Sequence, residues 1–155
     1  MAEYRRLRIA GGCYFFTVNL ADRGSDRLVR DIALLRDAVA CTRVRRPFRI
    51  DAWVVLPNHL HAVWTLPYGD DDFSTRWATI KRLFAFHAYG EEPRSASRAA
   101  RRERGLWQRR FWEHAIRDDD DYRAHVDYVH FNPVKHGFVT DAGDWPYSTL
   151  HRRLR

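Results

Sequence analysis

Hydrophobic and polar positions along this chain repeat with two different periods, and the periods divide it into elements. Residues 13–20, Cys13-Tyr14-Phe15-Phe16-Thr17-Val18-Asn19-Leu20, are dense in aromatic and β-branched side chains and predict a strand. From about 26 to 44, Leu28, Ile32, Leu35 and Val39 recur at helical spacing and predict a helix. Residues 48–56 and 59–66 predict two further strands. Only Pro57-Asn58 lies between them, which predicts a tight antiparallel hairpin. A second helix is predicted over 73–89, with Trp77, Ile80, Phe84 and His87 along one face. A third begins within Asp118-Asp119-Asp120-Asp121, whose carboxylates can cap it and complement its dipole. It should end near Asn132, because Pro133 disfavours helix in the residue before it, and Gly137 then suits a turn.

Residues 91–106 break the pattern. They hold few core candidates and read as a basic, flexible insert. Strands separated by helices, with a neighbouring hairpin, predict an α+β fold: an antiparallel sheet with covering helices, in a ferredoxin-like arrangement. A length of 155 residues suits a single domain spanning 1–155, and no internal repeat is visible.

Composition narrows the partners. With 45% hydrophobic and 30% charged residues the chain suits a soluble globular protein rather than a disordered one. No apolar run approaches membrane-spanning length, and the N-terminal residues run straight into charge with no apolar signal core. The two cysteines, Cys13 and Cys41, have no metal-type spacing, which fits a reduced cytoplasmic compartment. A net charge of +7 and a pI near 9.9 favour a polyanionic partner. Arginine supplies 25 of the 27 basic residues, and its planar fork suits phosphate and guanine edges. A GC-rich genome would produce the same arginine bias without any partner, although not the net charge.

Two segments carry candidate chemistry. In His59-Leu60-His61, alternate residues of a strand share a face about 6.6 Å apart, so both imidazoles can reach one ion, while Leu60 and Trp64 face the other way. On spacing alone, such a pair is more often two ordinary histidines than a metal site. In Tyr128-Val129-His130-Phe131-Asn132, positions four apart differ by about 40° around a helix, so Tyr128 and Asn132 share a face. Tyr122, Val126 and Val129 form a separate, core-facing stripe. A surface tyrosine beside an Asn cap satisfies the same pattern, and nothing in the sequence joins this helix to the His strand. No Gly-rich phosphate loop, HExxH or serine elbow is present.

Leu56-Pro57-Asn58-His59-Leu60-His61, followed by Tyr128-Val129-His130-Phe131-Asn132-Pro133-Val134-Lys135-His136-Gly137, resembles the REP-associated tyrosine transposases of the HUH superfamily. Tyr4-Arg5-Arg6 with Gly12-Cys13-Tyr14-Phe15-Phe16-Thr17, and Trp107-Gln108-Arg109-Arg110-Phe111-Trp112-Glu113-His114, look like that family too. The resemblance spans nearly the whole chain in matching order. It implies a metal-dependent single-strand DNA endonuclease and strand transferase with Tyr128 as nucleophile. His59 and His61 would be metal ligands and Asn132 a third, with His125, His130 and His136 as rivals for that place. Ligand softness alone would admit zinc or nickel; the resemblance implies magnesium or manganese. Attack would give a 5′-phosphotyrosine link and free a 3′-hydroxyl, so that rejoining needs no ATP.

The implied partner is single-stranded or hairpin DNA from a repetitive extragenic palindrome. The implied setting is a bacterial cytoplasm, associated with the nucleoid, with the protein a monomer or homodimer. Arg102, Arg104, Arg109 and Arg110 of the arginine-rich tract, together with Lys135, are candidates for backbone contact. Trp107 and Trp112 are candidates for base stacking, with core packing as the alternative for both. Two other functions stay in view: a DNA-binding regulator that keeps the fold without cutting, and a phosphodiesterase in which water attacks and Tyr128 is structural.

Overall fold

The computed structural model describes residues 6–89 and 105–153. Four antiparallel strands, β1 (Cys13–Asn19), β2 (Arg49–Val55), β3 (His59–Thr65) and β4 (Trp112–Ala115), form one sheet in the order β2-β3-β1-β4. That order and the antiparallel pairing are those of the ferredoxin-like arrangement. Helices α1 (Arg27–Arg30), α2 (Ile32–Arg45) and α3 (Phe73–Ala88) complete the first part of the chain. Helix α4 (Asp119–Lys135), a 3-10 turn (Ala142–Asp144) and the short α5 (Leu150–Arg153) follow β4.

Strand alternation divides the side chains between two layers. Tyr14, Phe16 and Val18 of β1 join Leu60, Ala62 and Trp64 of β3 in the larger core, against Leu35 of α2 and Trp77, Ile80 and Phe84 of α3. Phe15, Ala52, Val54 and Val63 pack on the opposite face against Val126 and Val129 of α4. The exposed edge of β2 is covered by the C-terminal segment: Val55 N–H donates to Tyr147 O, and Thr149 N–H to Trp53 O. The cover removes an unpaired sheet edge.

Several expectations need correction. The helix predicted over 26–44 is two helices, interrupted at Asp31, whose carboxylate accepts from Arg27 Nε at 2.8 Å. His87 lies exposed rather than on the buried face of α3. Helix α4 does not stop at Asn132 but runs through Pro133 to Lys135. Asn132 and Pro133 are both buried. The helix closes with Gly137 at φ +77°, its N–H donating to Val134 O and that of Phe138 to Pro133 O. That pair of bonds satisfies the last carbonyls and outweighs the local effect of the proline. Within the insert, residues 91–104 lie outside the described residues, and so do Arg102 and Arg104. Leu106 belongs to the core. Trp107 is buried too, its indole N–H donating to Lys81 O, so it has no face to offer a base.

Arg76, 1% exposed, fastens the start of α3. Its guanidinium donates to both carboxylate oxygens of Asp70 and to the carbonyls of Arg46, Pro47 and Asp72. Arg76→Met is expected to lower unfolding free energy by about 3–5 kcal/mol, as read by urea denaturation, because three carbonyls and a carboxylate lose their donor. An equal loss in the exposed control Arg82→Ala would refute that account. The Arg76 hydrogen bonds hold Asp70 below its ordinary carboxylate value of 3.8. Its stabilising contribution is therefore complete above that pH and is lost as pH falls below it.

Candidate active site

β3 brings His59 and His61 onto the face covered by α4, with ring centroids 5.0 Å apart. Each imidazole is held through Nδ1. Asn58 Nδ2 donates to Arg23 O at 2.6 Å, which turns Oδ1 toward His59 Nδ1, also at 2.6 Å. An amide oxygen only accepts, so His59 carries its proton on Nδ1 and leaves the lone pair on Nε2. His61 Nδ1 lies 2.8 Å from the hydroxyl of Thr17, its cross-strand partner, which leaves Nε2 as its outward nitrogen. Burial, with the charge of His136 next, lowers His59 to about 4. Burial, followed by His59, lowers His61 to about 3. Both rings are therefore neutral at neutral pH, the state in which imidazole donates a lone pair.

Helix α4 carries Tyr128 over this pair. Its ring meets His61 edge-on at 5.3 Å and Phe15 at 5.7 Å, and the residue is 38% exposed. Lys135 Nζ lies 3.5 Å from the Tyr128 hydroxyl. Asn132, one turn beyond Tyr128, is 0% exposed, and among the described residues neither atom of its amide has a hydrogen-bond partner. A buried amide without partners costs free energy unless a ligand or ion satisfies it. The structure thus joins what the sequence left separate. The His strand and the tyrosine helix form one cluster, open to solvent at Tyr128.

No family model matches the chain. A protein of Escherichia coli strain K12 named REP-associated tyrosine transposase is 53% identical, over 98% of this chain and 84% of that one. The chain belongs to the REP-associated tyrosine transposases. A Haemophilus influenzae protein provisionally given the same name is 44% identical, over 100% of this chain and 89% of that one. The solved structure of a REP-associated tyrosine transposase bound to a REP hairpin superposes with a TM-score of 0.87 at 52% identity, covering 99% of this chain and 86% of that one. A Deinococcus radiodurans crystal structure, 13% identical with a TM-score of 0.51, shares the fold.

The transposase family implies a divalent metal, and the residues present suit one. Two neutral imidazoles held through Nδ1, and an amide buried without partners among the described residues, form a neutral donor set. Of the rival histidines, His130 is buried on Thr149 Oγ1 at 2.8 Å and serves packing. His136 sits 5.2 Å from His59, and His125 belongs to a separate cluster with His114 and Asp121. Phe15, Thr17 and Asn58 all lie within the family-like segments, but the places of Phe15 and Thr17 beside the histidines depend on cross-strand register, and that of Asn58 on the orientation of its amide.

Register also places Trp112. Val54, His61, Thr17 and Trp112 form one row across the four strands, so Trp112, 57% exposed, shares the histidine face. Arg109 and Arg110 are exposed just before β4. Among the described residues no helix is long and apolar enough to cross a membrane.

Proposed function

We propose that this transposase is a divalent-metal-dependent single-strand endonuclease and strand transferase, acting on hairpin DNA of the REP type through a phosphotyrosine intermediate. The observation that carries the reading is the approach of Tyr128 to His61, 5.3 Å between rings on elements far apart in sequence. The hairpin comes from the 52% identical relative, whose structure holds one.

His59 and His61 would hold the metal through Nε2, with Asn132 as the third donor. Magnesium or manganese is the ion inferred. When bound, it would polarise a phosphate oxygen and help orient the phosphate for in-line displacement. Tyr128 Oη attacks phosphorus and forms an O–P bond to the strand downstream of the cut. The bond from phosphorus to the 3′ oxygen breaks, the phenolic proton passes to solvent, and the departing oxygen takes up a proton. Attack by a 3′-hydroxyl on the phosphotyrosine reverses the step, so one phosphoester replaces another. Lys135 offers its ammonium beside the attacking oxygen, where it can contact the phosphate. Trp112 offers an exposed indole in the same row as His61, suited to stacking an unpaired base.

The test is incubation of the protein with a REP hairpin carrying a single-stranded flank and manganese, followed by denaturing electrophoresis. A covalent protein–DNA band whose DNA-bearing peptide contains Tyr128, lost on chelation, supports the reading. Free cleaved strand with no adduct favours water attack, and hairpin binding without cleavage favours a regulator. Hairpin affinity should also fall at least about tenfold between roughly 50 and 200 mM salt, as counterions are released from contacted phosphates. A flat salt titration would contradict phosphate contacts by Arg109, Arg110 and Lys135.

A further inference from the structure

On the same face of the sheet, beyond Phe15, lies a second cluster of ligand-type side chains. His114 stands beside Phe15 in the β1–β4 register, while Asp121 and His125 occupy successive turns of α4. Their nearest ligand atoms all lie within 4.8 Å of one another. His114 Nε2 is 2.8 Å from Asp121 Oδ2, and His125 Nδ1 is 3.1 Å from Asp121 Oδ1. The two imidazoles stack with centroids 4.6 Å apart and planes inclined by 19°.

We propose that His114, Asp121 and His125 form a second metal site, of zinc type, that fastens β4 to the first two turns of the helix carrying Tyr128. Two imidazoles and a carboxylate are a donor set suited to zinc. Donors about 2.1 Å from a tetrahedral ion lie about 3.4 Å from one another, so the two His–Asp separations of 2.8 and 3.1 Å need only a modest widening to admit an ion. Side-chain exposures of 28% for His114, 12% for Asp121 and 25% for His125 leave one side open for water as a fourth ligand. The set includes a carboxylate, unlike the neutral His59, His61 and Asn132, and so offsets part of the ion's charge.

Asp121 is already oriented from outside the cluster, because Arg117 N–H donates to its Oδ2 at 2.9 Å. His125 Nδ1 is also 2.8 Å from Asp121 O, so in the metal-free state its proton sits on Nδ1. Ion binding moves that proton to Nε2, a change of tautomer with no change of charge. His125 touches Phe15 at 4.9 Å, and Phe15 in turn stacks on His61 at 5.6 Å and meets the edge of Tyr128 at 5.7 Å. An ion there would stiffen the support of the nucleophile without touching the substrate.

The experiment uses the full chain carrying His59→Ala and His61→Ala, stripped of metal and titrated with zinc chloride by calorimetry. This background makes the result independent of strand cleavage. One equivalent of zinc should bind with micromolar or tighter affinity, and saturating zinc should raise the melting temperature by several degrees. Adding Asp121→Asn keeps the shape of the side chain and removes its charge. It should weaken binding by more than the about 10–100-fold typical of an outer-shell partner and abolish the thermal shift. His114→Gln should do the same, with circular dichroism confirming that each variant is folded. If the double-alanine chain does not fold, the difference of one zinc equivalent between wild type and its Asp121→Asn variant gives the same readout. No bound equivalent, or binding that survives both Asp121→Asn and His114→Gln, would overturn the proposal.

Discussion

Tyr128→Phe is expected to abolish strand cleavage and the covalent adduct together while leaving fold and hairpin binding intact. The substitution keeps the ring, and with it the edge contacts to His61 and Phe15. It removes only a hydroxyl whose one hydrogen bond among the described residues is a long one, at 3.5 Å from an exposed lysine. Stability should therefore change by no more than about 0.5 kcal/mol. Activity should fall by roughly 10⁴–10⁶, the scale of deleting a catalytic nucleophile. Tyr122→Phe is the matched control. The Tyr122 hydroxyl donates to Asp51 at 2.9 Å, and burial, with Asp51 beside it, pushes this phenol up to about 12. It is held in a structural bond and resists ionisation. Its loss should cost about 1 kcal/mol, because Asp51 keeps Thr65 and Arg49 as donors, and cleavage should persist. A DNA strand labelled downstream of the nick, run on a denaturing gel, separates the outcomes. Cleavage by Tyr128→Phe at the wild-type rate would show water to be the nucleophile.

Much of this fold was legible because the two hydrophobic periods are clean. Each predicted strand of the hairpin differs from the observed one by about a residue at its ends, and the layer order follows from alternation within β1 and β3. The failures have local causes. Leu28, Ile32, Leu35 and Val39 keep helical spacing across Asp31, so a one-residue break leaves no trace in the pattern. Pro133 argues for a helix end on local grounds, yet burial of Asn132 and the glycine closure at Gly137 carry α4 onward. Trp107 stands among arginines as a base-stacking residue would. Its neighbour in space is Leu20, across an isolated bridge that no sequence rule announces. For the site, residue types and spacing pointed to the His pair and to Tyr128 separately. Their meeting depends on α4 crossing β2 and β3, a tertiary fact, and the same holds for Thr17 and for His114 with His125.

His59→Ala and His61→Ala should each remove most metal-dependent cleavage without removing hairpin binding, and they should differ in their side effects. His61 is 4% exposed and packed between Phe15 and Tyr128, so truncating it opens a cavity beneath the nucleophile and leaves the Thr17 hydroxyl without its partner. A stability loss of about 1–3 kcal/mol is expected there. His59 is only partly buried, and its loss should cost less. Both deletions leave Tyr128 in place, so a purely structural role for the histidines would show as reduced cleavage in proportion to unfolding. A ligand role predicts something different. The fully folded His59→Ala variant should cleave by about three orders of magnitude less at limiting manganese, with part of that loss recovered at high manganese, since an ion held by fewer donors binds more weakly. Cleavage rates measured against manganese concentration, alongside filter binding of the hairpin in chelator, distinguish the two. Wild-type activity of either variant at limiting manganese would remove that histidine from the ligand set.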